Sequence, residues 1–282
     1  MRRMKFLSKV EMHEKILIVL IIGAVILRLL LINQDISVLL SKFLSDDTYY
    51  AYSIAQNIIS GKGIVFNDNI PTNGFHPLYN LAVLVPIFKI FYNLGINAPI
   101  YASLVAVTLF NIGTAVLLYL IVGRILNKEA GLLSAFLWLF NPYVLFVSFI
   151  GLESSAQIFF MALLTYVLLT RSDRAQFSLK DSIIIGLIVG LVFLSRMDGV
   201  FIGFGVVTAL FIRKLVKRNF KISLFDLVKQ KDLILISVTA LMTITPWLLW
   251  SFVELGRVTP ISGEATHLLA ASNLGDKSYI GL

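Results

Sequence analysis

Apolar positions along this chain fall into seven long runs, at residues 16–32, 100–122, 130–149, 154–170, 183–194, 200–212 and 233–253. A helix needs about 20 predominantly apolar residues to cross the hydrocarbon core of a bilayer, so each run reads as a membrane-spanning helix. The runs at 183–194 and 200–212 are short and are separated by Ser195-Arg-Met-Asp-Gly199. An eighth apolar stretch, 78–94, carries Pro86 and Lys89 near its middle. A charge there costs about 2.5–3.5 kcal/mol on insertion scales. Between the first run and this stretch the pattern changes: Ala51, Ile54, Ala55, Ile58 and Ile59 recur at helical spacing and predict an amphipathic helix lying in the membrane interface. Ser45 or Asp46 caps its start and Gly61 supplies a left-handed stop.

Charge decides the topology. If 78–94 does not cross, the cytoplasmic segments 1–15, 123–129, 171–180 and 213–231 hold 17 of the 24 Lys and Arg, and the outer segments hold six. If it crosses, every later loop changes side and most of those cations face outward, against the positive-inside rule. The expectation is therefore seven spans with the N-terminus in the cytoplasm, and 78–94 as an outer-surface helix or half-inserted hairpin. The first run is too long for a signal peptide and lacks a small-residue cleavage site after Arg28, so it reads as an uncleaved anchor. Residues 1–282 form a single membrane domain: a cytoplasmic tail at 1–15, an outer loop with interfacial helices at 33–98, and an outer segment at 254–282.

Composition agrees with this picture. The chain of 282 residues is 58% hydrophobic and 14% charged, with a mean hydropathy of +0.88. Soluble domains average roughly 45–50% apolar and about 25% charged, so an ordinary soluble enzyme is excluded. The net charge of +8 reports orientation rather than nucleic-acid binding. Its most basic stretch, from Arg213 to Lys221 with Lys229 and Lys231 following, reads as a cytoplasmic loop touching anionic lipid head groups. With no cysteine, disulfides and thiolate metal sites are ruled out.

The remaining ionisable residues gather on one side of the seven-span scheme. Asp46 and Asp47 start the interfacial helix, and His76 precedes Pro77 in the same loop. Glu153 opens the fourth span, and Arg196 and Asp198 lie in the turn between the two short spans. Glu254, Arg257, Glu264 and His267 follow the last span. Each has a plain structural explanation: the acids as helix caps stabilised by the dipole, His76 as a turn residue, Arg196 with Asp198 as an ion pair. Their convergence at one depth points instead to a site. Carboxylates facing Arg and His at a lipid interface suit a donor with a phosphate leaving group. A carboxylate takes a proton from an acceptor hydroxyl or amine, while Arg and His offset charge growing on the phosphate. No phosphate-cradling glycine loop, metalloprotease motif or nucleophile elbow is present.

These residues, together with their surroundings, resemble the GT-C superfamily of membrane glycosyltransferases that use polyprenyl-phosphate-linked sugars. The nearest branch is the protein O-mannosyltransferase and lipid A aminoarabinose transferase group. The resemblance rests on Asp46-Asp-Thr-Tyr-Tyr-Ala51, Asn73-Gly-Phe-His-Pro-Leu-Tyr79, Gly151-Leu-Glu153, Leu194-Ser-Arg-Met-Asp-Gly199, Pro246-Trp-Leu-Leu-Trp250 and Gly256-Arg-Val-Thr-Pro260. It implies an all-α polytopic fold with about seven spans. Its chemistry would be an inverting transfer of a sugar from polyprenyl phosphate to a protein or lipid acceptor at the outer face of the cell membrane. It also implies Asp46 as base, with Asp47 and Glu153 positioning the acceptor or a divalent metal (the metal candidates being Asp46 and Glu153). His76 and Arg196 would meet the phosphate, Tyr49 or Tyr50 the sugar, and Asp198 and Asn73 complete the substrate site. The family's acidic pair is usually Asp-Glu, and a lysine of the aminoarabinose branch falls on His76. Family members continue with further spans or a soluble domain, so the chain reads as a truncated product or a minimal module. The rival reading is a non-catalytic membrane protein: a transporter, a lipid-sugar scrambling protein or an inactive partner subunit. Transporters place charges near the midplane in repeated halves, and neither feature is visible here.

Overall fold

The computed structural model describes residues 11–67, 70–171, 174, 176–217 and 230–262. Most of the basic tail, much of the basic 213–231 stretch, and Glu264 and His267 lie outside the described residues. Eleven helical elements are described, with no strand among the described residues: α1 (Met12–Ile32), α2 (Ile36–Lys42), α3 (Asp46–Ile59), α4 (Leu78–Leu94), α5 (Ala98–Ile125), α6 (Lys128–Phe140), α7 (Pro142–Phe149), α8 (Ser154–Thr170), α9 (Leu179–Ser195), α10 (Gly199–Lys217) and α11 (Lys231–Leu255). All seven apolar runs are helical. Four helices, α1, α5, α10 and α11, are long and apolar enough to cross a membrane, and the pair α6–α7 makes a fifth if its halves form one bent span. The protein is an all-α polytopic membrane protein.

Two differences from the sequence pattern have simple causes. The run 130–149 is continuous in hydropathy, yet it breaks at Asn141, where α6 and α7 diverge by 48°. Pro142 has no N–H to give the preceding turn, so it opens a new helix instead. The Asn141 side chain caps that helix by accepting from the N–H groups of Tyr143 and Val144. The two short runs are longer as helices than as apolar stretches, because polar residues at one end join them. Ser178 caps α9 one turn before Asp181, and α10 continues through Arg213 and Lys214.

Lipid-facing and packed faces separate cleanly. Val19, Ile22, Ile26 and Leu30 of α1 are exposed, as are Phe201 and Phe204 of α10. A soluble surface would not tolerate such continuous apolar exposure. The opposite face of α1 buries Leu17, Ala24, Arg28 and Ile32. Arg28 is wholly buried, with one hydrogen bond from Nη1 to the Ala24 carbonyl at 3.4 Å. In the bundle, α9 and α11 approach most closely at Gly186 and Gly190, four residues apart. A Cβ on Gly186 would lie 2.5 Å from the Ile236 carbonyl, and one on Gly190 2.6 Å from Thr243 Cβ. Small residues at this spacing let two helix backbones meet where no hydrophobic force pulls them together.

The loop between α1 and α4 is ordered by its own chemistry. Helix α3 buries Ala51, Tyr52, Ile54 and Ala55 on one face, as the spacing predicts. It ends in a Schellman motif: Gly61 has φ +78, its N–H reaches the Ile58 carbonyl, and Lys62 N–H reaches Asn57. Helix α4 packs against α3 and α5, turning Tyr79, Asn80, Leu84 and Phe88 inward and leaving Lys89 exposed. Its first turns, Leu78–Leu84, are π-helical, an arrangement frequent at functional sites.

Candidate active site

A polar cavity of about 220 Å³ lies where α3, the segment before α4, the loop before α8 and the α9–α10 turn meet. Its walls carry Asp47, Tyr50, His76, Glu153 and Arg196, together with Tyr79 and Asn80. Five residues singled out in the sequence thus share one cavity, although 149 positions separate the first from the last.

Glu153 is the hub. It is buried, and although it occupies the N-cap position of α8, its side chain makes no capping bond. Oε1 instead accepts from Arg196 Nη1 at 2.8 Å and faces His76 Nε2 at 3.5 Å. Arg196 is held from its other side by Asp198, whose Oδ2 lies 3.4 Å from Nε and whose Oδ1 accepts from Gln157 at 3.0 Å. Asp198 does not line the cavity; it orients the guanidinium that does. Burial pushes the His76 imidazole below its ordinary value, with Glu153 pulling the other way. Its Nδ1 and the neighbouring Asn80 Oδ1 are buried without a hydrogen-bond partner. Buried polar atoms are rarely left so, and here both belong to residues lining the polar cavity, on successive turns.

The loop that presents Glu153 is fixed by residues the sequence reading passed over. Thr48 donates to the Ile150 carbonyl at 2.5 Å, and Tyr79 donates to the Gly151 carbonyl at 3.0 Å. Gly151 has φ +79, and a Cβ there would meet Thr48, Tyr52 and Leu44 at 3.0–3.1 Å. The usable signal is spacing: Tyr79 and Asn80 stand three and four residues after His76, on the same helical face.

The other predicted residues fall differently. Asp46 shares the exposed first turn of α3 with Asp47, but only Asp47 reaches the cavity wall. Tyr49 points away, donating to the Leu40 carbonyl at 2.7 Å. Tyr50 lines the cavity, with its hydroxyl 2.6 Å from Thr72 Oγ1. Asn73 is buried behind the wall and hydrogen-bonded to α11 and the segment after it. Glu254, in the last turn of α11, and Arg257, just beyond it, are exposed. Among the described residues no group of three or more His, Cys, Asp or Glu could hold a metal ion. Glu153 is paired with Arg196, and Asp46 is not among the residues that line the cavity.

Beside the polar cavity is a second of about 390 Å³, lined almost wholly by apolar groups including Pro77, Leu81, Leu194, Trp247 and Trp250. Pro77 follows His76 and Leu194 lies two residues before Arg196, so the same segments wall both spaces. The Trp247 and Trp250 rings stack at 4.9 Å, and Phe75 packs edge-on against Trp247 at 5.2 Å.

The sequence model of the family described as dolichyl-phosphate-mannose-protein mannosyltransferase matches residues 76–250, well over half of the chain. The chain belongs to this family. It is a membrane glycosyltransferase of the mannosyltransferase type, in a family that uses polyprenyl-phosphate sugar donors. The family match runs from His76 through Glu153 and Arg196 to Trp250, and so covers half of the residues lining the polar cavity and all but Ile64 of those lining the apolar one; the Asp46–Asp47 pair lies before it. Neither curated proteins nor solved structures give a match to the chain.

Proposed function

We propose that the chain transfers a sugar from a polyprenyl-phosphate donor to a hydroxyl or amine of a protein or lipid acceptor at the outer membrane face, with inversion. The observation that carries this reading is the pairing of the two cavities. An apolar cavity walled by Trp247 and Trp250 stands beside a polar one holding Asp47, Glu153, His76 and Arg196. A lipid-linked sugar phosphate has that same division, with an apolar chain on one side and an anion and hydroxyls on the other.

In this reaction Asp47 takes the proton of the acceptor group. The acceptor atom attacks the anomeric carbon from the side opposite the phosphate. The bond from that carbon to the phosphate oxygen breaks, and its electron pair leaves with the polyprenyl phosphate. Arg196, held between Glu153 and Asp198, offsets the charge that grows on that oxygen, and a fixed donor costs no reorganisation as the reaction proceeds. His76 stands against Glu153 at the junction of the two cavities, where donor phosphate would lie. Of the two acids in the first turn of α3, geometry supports Asp47 as the base, because it alone reaches the wall. No step requires a metal.

The orientation follows the charge distribution. The ends of helices opposite the site carry the contacts of Lys128 with Glu11, of Arg171 and Arg174 with Asp181, and of Lys214 with Asp232. The basic excess there supports placing that end in the cytoplasm and the site outside. The test is transfer of radiolabelled sugar by the purified chain in lipid nanodiscs, supplied with a panel of polyprenyl-phosphate sugars and peptide or lipid acceptors. Transfer from one donor is expected; no transfer from any donor defeats the reading.

A further inference from the structure

The site's outer wall includes a piece of chain from beyond the last long helix. Gly256, at φ +66, ends α11 in the left-handed conformation and turns the chain back over the first outer loop. Residues 256–262 then form a strap that is hydrogen-bonded to one buried side chain. Asn73 is wholly buried and its carboxamide is used at both ends: Nδ2 donates to Ser251 Oγ at 2.7 Å and to the Thr259 carbonyl at 3.0 Å, while Oδ1 accepts from Ile261 N–H at 3.0 Å. Ser251 Oγ in turn donates to the Arg257 carbonyl at 2.7 Å. A buried amide satisfied on both sides specifies one arrangement of the segments it joins.

That arrangement reaches the cavity. Ser262, on this strap, lines the polar cavity together with Gly74, the residue after Asn73. A Cβ on Gly74 would lie 3.6 Å from Ser262 N and 3.2 Å from the Tyr50 hydroxyl. Tyr50 also binds Thr72, so the segment 72–74 links the helix bearing Asp47 to the strap. Exposure separates mouth from floor. Asp47 and Ser262 are exposed, whereas Ala51, Tyr79, Asn80 and Glu153 are buried. The apolar cavity lies on the side of Pro77 and Leu194.

We propose that Asn73 is a positioning residue that makes the strap the outer wall of the acceptor mouth, so that recognition of the acceptor, and not of the donor, depends on it. The proposal rests on the transferase reading above, in which the lipid-linked donor enters from the apolar side and leaves the mouth between Asp47 and Ser262 to the acceptor. Asn73 contacts neither substrate; it acts through the placement of residues 256–262.

The experiment uses the full chain in nanodiscs and two readouts. Arg257 is exposed on the strap, so trypsin cleavage after it reports how firmly the strap is held. With the hydrogen bonds of its carboxamide removed, Asn73→Ala should speed this cleavage about tenfold or more and raise the acceptor KM by a similar factor. The donor KM should not change. Ser251→Ala removes one arm of the clamp and should move both readouts the same way by less, which guards against misfolding of the first variant. Unchanged cleavage in both variants overturns the clamp. Faster cleavage with a raised donor KM and an unchanged acceptor KM overturns the assignment of the mouth. If the wild-type chain transfers no sugar at all, the transferase reading fails first, and cleavage of the same samples still decides whether Asn73 holds the strap.

Discussion

Arg196 Nη1 and Glu153 Oε1 stand 2.8 Å apart although 43 residues separate them in the chain. The contact joins the end of α9 to the start of α8, and Asp198 grips the same guanidinium from its other side. A planar fork can meet two carboxylates and a phosphate together, whereas an ammonium is a single point charge. Arg196→Lys should therefore lower kcat by about 10²–10³-fold while the protein stays folded, as loss of one preorganised donor to a developing oxyanion does. Steady-state transfer kinetics check this, and near wild-type kcat in the lysine variant would remove Arg196 from the chemistry.

Gly151 sets the position of Glu153. Its φ of +79 disfavours a side chain, and a Cβ there would press on Thr48, Tyr52 and Leu44, which would have to give way. Gly151→Ala should cost about 1–3 kcal/mol of stability, the usual range for strain in this conformation. It should also reduce transfer by displacing the Glu153 loop. Thermal unfolding and transfer measured on one sample test both effects together.

His76 gives the site a pH dependence whose sign can be worked out. Burial lowers its pKa in the folded protein below the ordinary value of about 6.5. As pH falls through 6.5 the unfolded chain binds a proton that the folded chain does not. Stability is therefore lost progressively between that pH and the lower folded value, and is fully present above 6.5. Melting curves from pH 8 to pH 5 should show His76→Gln losing less stability on acidification than the wild type. Parallel curves for the two proteins would contradict a folded-state pKa lowered at His76.

Arg28 is wholly buried with Nε and Nη2 unpartnered, and no part of the proposed chemistry uses it. Replacing a poorly compensated buried charge by an apolar side chain of similar volume is often neutral or stabilising by about 1–4 kcal/mol. Arg28→Met should accordingly leave Tm unchanged or raised, with transfer retained. A marked fall in Tm would mean that the guanidinium has partners which stabilise it.

Much of this was legible in the sequence because a bilayer imposes a strict pattern. Apolar runs long enough to cross it became helices, and the spacing of Ala51, Ile54 and Ala55 gave the buried face of α3. The site was legible as a set of charges, since Glu153, Arg196 and His76 have little reason to sit at bilayer ends unless they face one another. What the pattern did not contain was direction. Asp46 and Asp47 are adjacent and chemically alike, and one step along a helix turns a side chain by about 100°. Only the packing of α3 through Thr48, Ala51 and Tyr52 decides which of the two faces the cavity. Asn73 likewise reads from the sequence as part of the substrate site, and its use as a clamp depends on a segment nearly 190 residues away. The break at Asn141 was hidden because hydropathy does not register the missing N–H of Pro142.

The most direct test of the account is the kcat for sugar transfer of Asp47→Asn set against that of Asp46→Asn, each measured with saturating lipid-linked donor and acceptor. If Asp47 is the base, its variant should lose about 10²–10⁴-fold, the span of general-base contributions, and should lose more than the Asp46 variant. Near wild-type turnover in Asp47→Asn, or the larger loss in Asp46→Asn, would contradict the placement of the reaction in this cavity wall.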